Sequence, residues 1–340
     1  MEGPTRGQQL PTVRAAGPPA SKLSGGQPSS SGSTAIEQPQ LVTSIHAPSH
    51  SRPQTLTIIS HPTAFSTDQT YILHAMKLVV TGCNGSVGRR VVYNALKQGH
   101  TVLGLDNKAL ESTESSGHPN YRFVEADLRD FDKTLELLEG HDAVVHLAAY
   151  PNPTDYRVQS HNANVVMSWN VLPNNLNSNI FQLTRITRVY QTSPTASRRL
   201  ASLLIMHRIS ELQADTIIRR YPNLRIASLR LHWSIPTREK AQNLDPGRAK
   251  NDLWGWVQED SAAEAFLLAV TRDDLPWRGH ERFFIVAPTI AHVQFDSKDL
   301  REEYWPGVKV LDGKDVSGRN GFFDCGKAER LLGWVHSDGP

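Results

Sequence analysis

Short apolar runs rich in β-branched residues alternate with amphipathic segments through most of the chain. A run of roughly four to eight such residues is typical of a buried strand, and apolar residues three and four apart are typical of a helix that packs one face. The runs predict strands at 77–81, 101–105, 121–125, 143–147, 186–193, 224–231 and 282–287. The amphipathic segments predict helices that begin near residues 87, 131, 161, 209, 260 and 325.

This alternation predicts an α/β fold with a parallel, doubly wound sheet. Ligands in such sheets bind beyond the carboxyl ends of the strands, and Asp106, Asp127 and His146 fall there. A helix N-cap is the competing explanation for Asp127, and we expect His146 to be a core residue rather than a catalyst. Asp260 and Asp324 are expected to cap the helices that follow them.

Three glycines follow directly after the first predicted strand, and a helix follows them. Glycine permits positive φ in a tight turn, and a missing side chain lets backbone N–H groups approach a pyrophosphate at a helix N-terminus. The second strand ends at Asp106, 18 residues beyond Gly88, where a carboxylate can accept both adenosine ribose hydroxyls. This order predicts a Rossmann-type dinucleotide site, and the alternative is a glycine-rich turn in an unrelated α/β protein. The predicted cofactor-binding residues of the turn are Gly82, Asn84, Gly85, Ser86, Val87 and Gly88.

The totals change this interpretation little. The formal net charge of +2 gives no strong attraction to nucleic acid or to a membrane surface. Two cysteines, Cys83 and Cys325, give neither a disulfide framework nor a metal cluster, and they favour a reducing compartment, so we expect the cytoplasm. No apolar run reaches the ~18 residues of a transmembrane helix, and the N-terminus has no apolar signal-peptide core.

Residues 1–75 differ from the remainder in composition. Residues 1–40 are rich in Gly, Pro and Ser, and such a segment cannot bury enough apolar surface to order itself. One interpretation is a disordered extension, and the other is that the natural protein begins at Met76. Since the first strand is predicted to start at Lys77, residues 1–75 are predicted to be dispensable.

The glycine spacing is G-x-x-G-x-x-G, and with it the stretch resembles the extended branch of the short-chain dehydrogenase/reductase superfamily, the NAD-dependent epimerases and dehydratases. The resemblance covers 76–172 and 209–336 and implies that the cofactor is NAD. The residues that match the family's further cofactor contacts are Asp127, Leu128, Leu147, Ala148, Ala149 and Asn164. The competing explanations are close packing for Ala148 and Ala149 and an ordinary polar helix face for Asn164.

The chemistry of this family needs a tyrosine and a lysine four residues apart on one helix face. The ammonium group lowers the pKa of the phenol, which can then exchange a proton with a substrate hydroxyl. The one such pair beyond residue 75, Tyr93 and Lys97, lies on the first helix, and we interpret it as a surface pair. The expected positions before Ile209 hold Leu203 and His207, and neither side chain can replace the pair.

A serine or threonine after the fifth strand holds the substrate oxygen in the family, and Ser193 is the catalytic candidate, with Thr192 beside it. Only 15 residues separate Ser193 from Ile209, and residues 173–208 show no clean period. Two explanations stay open. The chain is either a natural cofactor-binding variant without the tyrosine and lysine, or an imperfect translation of an active enzyme's gene.

We therefore expect an extension at 1–75, an NAD-binding Rossmann domain at 76–231 whose residues 173–208 depart from the family, and a smaller, mainly substrate-binding region at 232–340 with interleaved Rossmann elements. The resemblance implies transient hydride transfer on a small polar substrate, with a nucleotide sugar as one candidate. The alternative is a non-catalytic NAD-binding sensor or scaffold. Among partners we expect a small-molecule substrate, no nucleic acid and no membrane, with a homodimer as an assembly open to the chain.

Overall fold

The computed structural model describes residues 74–150, 159–172, 182–186, 198–243 and 245–339, and for 159–161, 182–186, 198–207, 246 and 248 it describes the backbone alone. Within these residues the strands are β1 (Lys77–Thr81), β2 (Thr101–Asp106), β3 (Tyr121–Glu125), β4 (Ala143–His146), β5 (Gln182–Ile186), β6 (Arg225–Leu231), β7 (Ser234–Ile235), β8 (Val257–Gln258) and β9 (Gly279–Ile285). The helices are α1 (Ser86–Lys97), α2 (Phe131–Leu138), α3 (Gln159–Val171), α4 (Arg198–Arg220), α5 (Arg238–Gln242), α6 (Pro246–Ala249), α7 (Glu259–Thr271), α8 (Ser297–Tyr304) and α9 (Gly326–Leu332), with a 3-10 turn at Lys250–Asp252.

Seven of these strands form one parallel sheet in the order β3-β2-β1-β4-β5-β6-β9, while β7 pairs with β8. The chain runs outward from β1 to β3, returns beside β1 as β4, and then runs outward in the other direction. The reversal between β1 and β4 is the switch point at whose carboxyl edge ligands bind in such sheets. The predicted Rossmann-type parallel sheet is confirmed.

Apolar layers cover both faces of the sheet. Leu78 and Val80 of β1 belong to the layer that holds α1, α7 and α9, whereas Val79 belongs to the layer that holds α2, α3 and α4. A strand buried on both faces has a nearly continuous apolar sequence rather than an alternating one. This is why the run at 77–81 predicts β1 so clearly.

Two smaller clusters lie outside the main layers, in the C-terminal part of the chain. One joins Trp254 to Ile290 and Leu300, and the other joins Trp256 to Ala287. The strand β9 and the helices α7 and α9 come from the same part of the chain but pack with the main sheet. Among the described helices, none is long and apolar enough to cross a membrane.

The fifth strand lies earlier than the sequence predicts. The structure has β5 at Gln182–Ile186, where it pairs with β4 and β6, so the predicted start at Ile186 was wrong. The remainder of the predicted strand, 187–193, lies outside the described residues. The helix predicted to begin near Ile209 begins at Arg198. Both β5 and the start of α4 therefore lie within residues 173–208, where the sequence shows no regular strand or helix periodicity. Strand and helix limits depend on pairing and packing as well as on the local sequence pattern.

The predicted cap of α7 was also wrong. Gln258 is its N-cap and accepts a backbone N–H of the first turn at 2.8 Å. Asp260 instead binds Arg90 of α1, whose Nε lies 2.6 Å from the Asp260 carboxylate. Cys325 occupies the N-cap of α9, but Asp324 accepts a backbone N–H of that first turn at 2.9 Å, close to the predicted role.

Candidate functional site

The glycine turn joins the end of β1 to the start of α1 and packs against the end of β4. Gly82 has φ of +68°, and a Cβ at this position would lie 2.6 Å from the backbone nitrogen of Ala148. Both the left-handed conformation and the close approach of a neighbouring backbone require glycine. At Gly82 the turn therefore approaches the backbone that follows β4 closely.

Gly85 and Gly88 have different surroundings. A Cβ at Gly88 would lie 2.1 Å from the carbonyl oxygen of Gly82, inside the turn, whereas a Cβ at Gly85 would meet that oxygen at 3.2 Å and nothing closer. Gly85 is the N-cap of α1 with an ordinary φ of −69°. Gly85 and Ser86 are exposed, and Val87 is buried. The outer face of the turn, at Gly85, is therefore open.

Thr81 is fully buried and fastens the turn to the end of β4. Its hydroxyl oxygen accepts the N–H groups of Leu147 and Ala148, each at 3.2 Å, and lies 2.8 Å from Nδ1 of His146. His146 is 1% exposed, as predicted for a core histidine. Leu147 and Ala148 are half-buried, and Ala149 is exposed. Sequence reasoning missed Thr81, because its partner His146 lies 65 positions away along the chain.

Asp106 ends β2 directly beside the turn. One carboxylate oxygen accepts the N–H of Asn84 at 3.0 Å, and the other accepts the N–H of Asn107 at 2.8 Å. The side chain of Asn84 donates to the carbonyl of Lys108 at 2.5 Å. Each carboxylate oxygen has a second lone pair for a further donor. The structure therefore brings Asp106 to the glycine turn, as the order of the elements predicted.

Cys83 fills the inner side of the turn. Its thiol is buried, and the hydroxyl of Tyr121 donates to the sulfur at 3.7 Å. Gly104 makes room for both, since a Cβ there would lie 2.6 Å from the Tyr121 oxygen and 2.9 Å from the Cys83 sulfur. Burial raises the pKa of the Cys83 thiol to about 12 and also raises the pKa of Tyr121. Both groups are un-ionised near pH 7, so they support the turn by packing.

Asp127 does not cap α2. Asp130 is the N-cap and accepts a first-turn N–H at 3.0 Å. Asp127 forms a two-point ion pair with Arg129, whose hydrogen bonds lower the pKa of the Asp127 carboxyl. Leu128 is buried, and its carbonyl accepts the side-chain N–H of Asn170 at 2.9 Å. The loop after β3 is thus fixed from α3.

Asn164 holds the loop that follows β4. Its side-chain oxygen accepts the N–H of Tyr150 at 2.8 Å, and its side-chain nitrogen donates to the Tyr150 carbonyl at 3.2 Å. Asn164 is 4% exposed, so the ordinary exposed polar helix face does not describe it. Its contact with a cofactor stays a prediction.

The predicted catalytic residue Ser193 and its neighbour Thr192 lie outside the described residues. Leu203 and His207 occupy α4, four residues apart along its backbone. Tyr93 lies on α1 and is 38% exposed, with the Arg90 guanidinium 5.1 Å from its ring centre. Tyr93 is thus at the helix surface, as predicted.

A charged network fastens α4 to β6 and β9. The Glu211 carboxylate accepts Nε and Nη2 of Arg230, both at 2.9 Å, and Nε of Arg282 at 3.0 Å. Asp215, one turn further along α4, binds Nη2 of Arg282. Burial alone would raise the pKa of Glu211, but the hydrogen bonds and charges of the two arginines outweigh it and lower that pKa. The helix that holds Leu203 and His207 is therefore positioned by ion pairs.

Ser228, His280 and Asp215 form a chain of hydrogen bonds within this network. Ser228 Oγ lies 2.7 Å from Nε2 of His280, and His280 Nδ1 lies 2.8 Å from the Asp215 carboxylate. In hydrolases that use a catalytic Ser-His-Asp triad, the serine must reach the substrate and the aspartate is buried. Here Ser228 is 4% exposed, whereas the Asp215 side chain is 36% exposed. Burial lowers the pKa of His280, which favours the neutral ring, and the chain supports the structure rather than a nucleophile.

The sheet order and the glycine turn at its switch point define a Rossmann-type α/β protein. Residues 78–195 match the NAD dependent epimerase/dehydratase family. This match confirms, over those residues, the predicted resemblance to the extended short-chain dehydrogenase/reductase branch.

Curated relatives match over shorter regions. The L-arabinose 1-dehydrogenase (NAD(P)(+)) of Haloferax volcanii is 38% identical over 95 residues, which are 28% of this chain and 34% of that protein. A UDP-glucose 4-epimerase of Klebsiella pneumoniae is 35% identical over 81 residues, which are 22% of this chain and 58% of that protein. The chain thus spans between 34% and 58% of the length of these relatives.

Solved structures share the fold over most of the chain. The UDP-glucose 4-epimerase of Thermotoga maritima, solved with UDP-glucose, has a TM-score of 0.52 and 18% identity and covers 77% of this chain and 94% of its own. The Bordetella bronchiseptica enzyme WbmF, solved with NAD+, has a TM-score of 0.55 and 16% identity and covers 77% and 88%. At these identities the likeness shows the fold alone.

Proposed function

We propose that the chain binds NAD at the glycine turn. The observation that carries this proposal is the open outer face at Gly85, which lies at the N-terminus of α1 beside the switch point of the sheet. No side chain caps α1, and its first turn holds no acidic residue, so its N–H groups suit a pyrophosphate. The family match and the NAD-containing structural neighbours support the proposal.

NAD is preferred over NADP in this proposal. The carboxylate of Asp106 has room for ribose hydroxyls on its second lone pairs, but its charge would repel a 2′-phosphate. Lys108, two residues further on, offsets part of that repulsion. Calorimetric titration of the purified chain with each cofactor tests the preference, and equal or tighter binding of NADP contradicts it.

The reaction of this lineage is the oxidation or epimerisation of a small polar substrate, with a nucleotide sugar as one candidate. Bound NAD supplies the acceptor for the hydride. The chain must take up the proton from the substrate hydroxyl, and general acid–base help of this kind is typically worth ~10²–10⁴-fold in rate. Ser193 or Thr192 can orient an oxygen, but neither is a base without an activating neighbour.

The competing function is a non-catalytic NAD-binding sensor or scaffold. It is favoured by Leu203 and His207, which occupy α4 where the family's tyrosine and lysine are expected. We therefore expect NAD binding without measurable turnover. The assay incubates the chain with NAD+ and a panel of sugars and nucleotide sugars, and it follows NADH absorbance and sugar products. Tyr190 is the tyrosine nearest to Ser193 in the sequence. Robust turnover that is lost in Tyr190→Phe or Tyr93→Phe contradicts this expectation. Sequencing the transcript across codons 165–215 tests whether a tyrosine–lysine segment was lost in translation.

We also propose a homodimer formed through α3 and α4 in a reducing compartment, the cytoplasm. Val166, Trp169 and Leu212 are 39%, 40% and 61% exposed on these two packed helices. Such a group of exposed apolar side chains suits a second copy. The two cysteines, both free thiols, support a reducing compartment. Sedimentation of the chain and of Trp169→Glu tests the dimer, and a monomeric parent chain contradicts it.

A further inference from the structure

A buried arginine, Arg225, begins β6 at the amino edge of the sheet, the edge opposite to the glycine turn. The length of β6 separates it from the carboxyl edge by about 20 Å at the usual rise of a strand. Arg225 is 3% exposed, and its Nη2 donates to the carbonyl of Arg272, the C-cap of α7. Burial of an ionised group is costly unless a counter-charge accompanies it, so the position of this guanidinium needs an explanation.

Two buried N–H groups at this position have no hydrogen-bond acceptor among the described residues. They are Nε of Arg225 and the indole Nε1 of Trp277, which is 7% exposed. The two side chains are neighbours, since the guanidinium carbon of Arg225 lies 5.6 Å from the centre of the Trp277 ring. Buried donors in native proteins are almost always hydrogen-bonded, so this pair points to an acceptor from outside the described chain.

The nearby carboxylates are bound elsewhere or exposed. Asp274 forms a two-point ion pair with Arg272, with hydrogen bonds of 2.8 and 2.6 Å, and Asp273 is exposed to solvent. The carboxylate of Glu281 on β9 is bound by a lysine. Residues 173–181, which precede the strand β5 that pairs with β6, contain no acidic residue. The missing counter-charge is therefore not supplied by any of these segments.

Further arginines surround the buried one. Arg278, one residue beyond Trp277, is exposed to solvent. Burial and the nearby charge of Arg278 lower the pKa of Arg225 to about 10, so this guanidinium stays charged at pH 7. The segments 219–225 and 272–279 are joined by a backbone hydrogen bond of 3.2 Å, and together they contain five arginines and two aspartates, a formal sum of +3.

We infer that a phosphate group binds at this amino-edge site, which we define by Arg225, Trp277 and Arg278. The exposed Arg278 contacts the oxyanion directly, and Arg225 attracts it from beneath, where a lower effective dielectric strengthens the interaction. With roughly two negative charges near pH 7, a phosphate matches the positive sum better than one carboxylate does. The site shares no residue with the glycine turn, so the inference goes beyond NAD binding.

The test is isothermal titration calorimetry of the full chain with inorganic phosphate at constant ionic strength. We expect saturable binding, together with a melting temperature that rises with phosphate concentration. Arg278→Gln should weaken binding at least about tenfold, which corresponds to ~1.4 kcal/mol, because the arginine that contacts the anion is lost. Arg122→Gln is the matched control, since Arg122 is an exposed arginine on β3, and β3 and β9 are the two outermost strands of the sheet.

Arg122→Gln should keep the affinity of the parent chain for phosphate within about twofold. Both arginines are exposed, so both variants should keep the parent's melting temperature in buffer without phosphate. Arg225→Met, which removes the buried charge, should also weaken binding. The inference is overturned by the absence of saturable phosphate binding, or by equal losses of affinity in Arg278→Gln and Arg122→Gln.

Phenyl phosphate in the same titration separates two sources of the phosphate group. Binding at least as tight as that of inorganic phosphate supports a phosphate ester, whereas weaker binding supports the free ion, and either must depend on Arg278. Gly85→Val should bind phosphate as the parent chain does. Loss of phosphate binding in Gly85→Val would place the anion at the glycine turn and overturn the inference.

Discussion

At the scale of single residues, the three glycines of the turn have separate tasks. Gly82 provides the left-handed conformation and the contact with Ala148, and Gly88 lets α1 start against the carbonyl of Gly82. Gly85 does neither, because its φ is ordinary, it is exposed, and a Cβ there would have one tight contact, 3.2 Å from the Gly82 carbonyl oxygen. A side chain at Gly85 would therefore occupy the space of a ligand, whereas a side chain at Gly88 would disrupt the turn itself.

We predict that Gly85→Val abolishes NAD binding and leaves the melting temperature close to that of the parent chain. Gly88→Val should lower the free energy of unfolding by about 3 kcal/mol, since its Cβ would overlap the Gly82 carbonyl. Calorimetric titration with NAD+ and chemical unfolding of both variants measure these effects. NAD binding by Gly85→Val at the parent's affinity would show that the cofactor lies elsewhere.

His336 gives the molecule a pH dependence at its C-terminal tail. Its ring is buried against Trp256, and Nε2 accepts the N–H of Gln258 at 3.2 Å. Burial lowers the pKa of His336 from 6.5 to about 4. The unfolded chain therefore binds a proton at this site before the folded chain does, so stability is present above pH 6.5 and is lost as the pH falls toward 4.

We predict that His336 contributes a loss of about 3 kcal/mol in unfolding free energy between pH 7 and pH 4, because its pKa is lowered from 6.5 to about 4 in the folded chain. In His336→Gln this part of the pH dependence should disappear, even if the variant is less stable throughout. Urea unfolding across this pH range compares the two slopes. Identical slopes contradict the depressed pKa.

Particular residues show what the sequence could predict at this scale. Asp106 was placed correctly because the order of strand, turn, helix and strand carries it to the turn. Asp127 and Asp260 were suitable as caps by residue type, but each binds an arginine instead. Arg129 is a close neighbour in sequence, whereas Arg90 lies 170 positions from Asp260, and no local pattern shows such a partner.

At the scale of elements, α4 is held to β6 and β9 by the network of Glu211, Arg230 and Arg282. Removing one member of a buried ion pair leaves an uncompensated charge, which costs more than the pair contributes. Side chains of two strands thus hold α4 against the sheet. These ion pairs act together with the apolar layer between the sheet and the helices α3 and α4.

We predict that Glu211→Gln lowers the free energy of unfolding by about 2 kcal/mol, because Arg230 loses its carboxylate partner and Arg282 keeps only Asp215. Glu136→Gln is the control, since the Glu136 side chain is 68% exposed in its pair with Lys133 and should change stability by less than about 0.5 kcal/mol. Denaturant unfolding of the two variants provides the comparison. Equal effects contradict a structural role for the network.

The fifth strand shows why some elements could not be located from the sequence. Apolar or aromatic residues recur at 183, 186, 189 and 190 between polar ones, so the sequence does not mark where the strand begins or ends. In the structure Gln182 faces Arg225 of β6 and Val144 of β4 faces Leu183, and this pairing sets the strand. Strands buried on both faces, such as β1 and β4, were predicted closely because their own composition marks them.

At the scale of the whole molecule, the alternation of strands and helices was sufficient to predict the parallel sheet and the edge where a ligand binds. A cavity at the carboxyl end of β9 could not be predicted from the sequence. Its walls come from separate segments of the chain, and no sequence pattern links those segments. Whether the chain can catalyse a reaction depends on residues 173–197 as well as on α4.

We predict that a chain beginning at Met76 matches the full chain in melting temperature and NAD affinity. The reason is that the first described strand, β1, begins at Lys77, and it pairs with β2 over Lys77–Thr81 and with β4 over Leu78–Thr81. Thermal unfolding and NAD titration of the two chains make the comparison. A drop of several degrees in the shorter chain would show that residues 1–75 pack on the domain.

Hydrogen–deuterium exchange with and without saturating NAD+ tests NAD binding at the glycine turn most directly, because it reports which backbone amides the cofactor covers. The proposed site predicts slower exchange in peptides that contain Gly82–Gly88 and Asp106, with unchanged exchange in the peptide of α8. Unchanged exchange across 82–88 at saturating NAD+, or protection confined to other parts of the chain, would contradict the account.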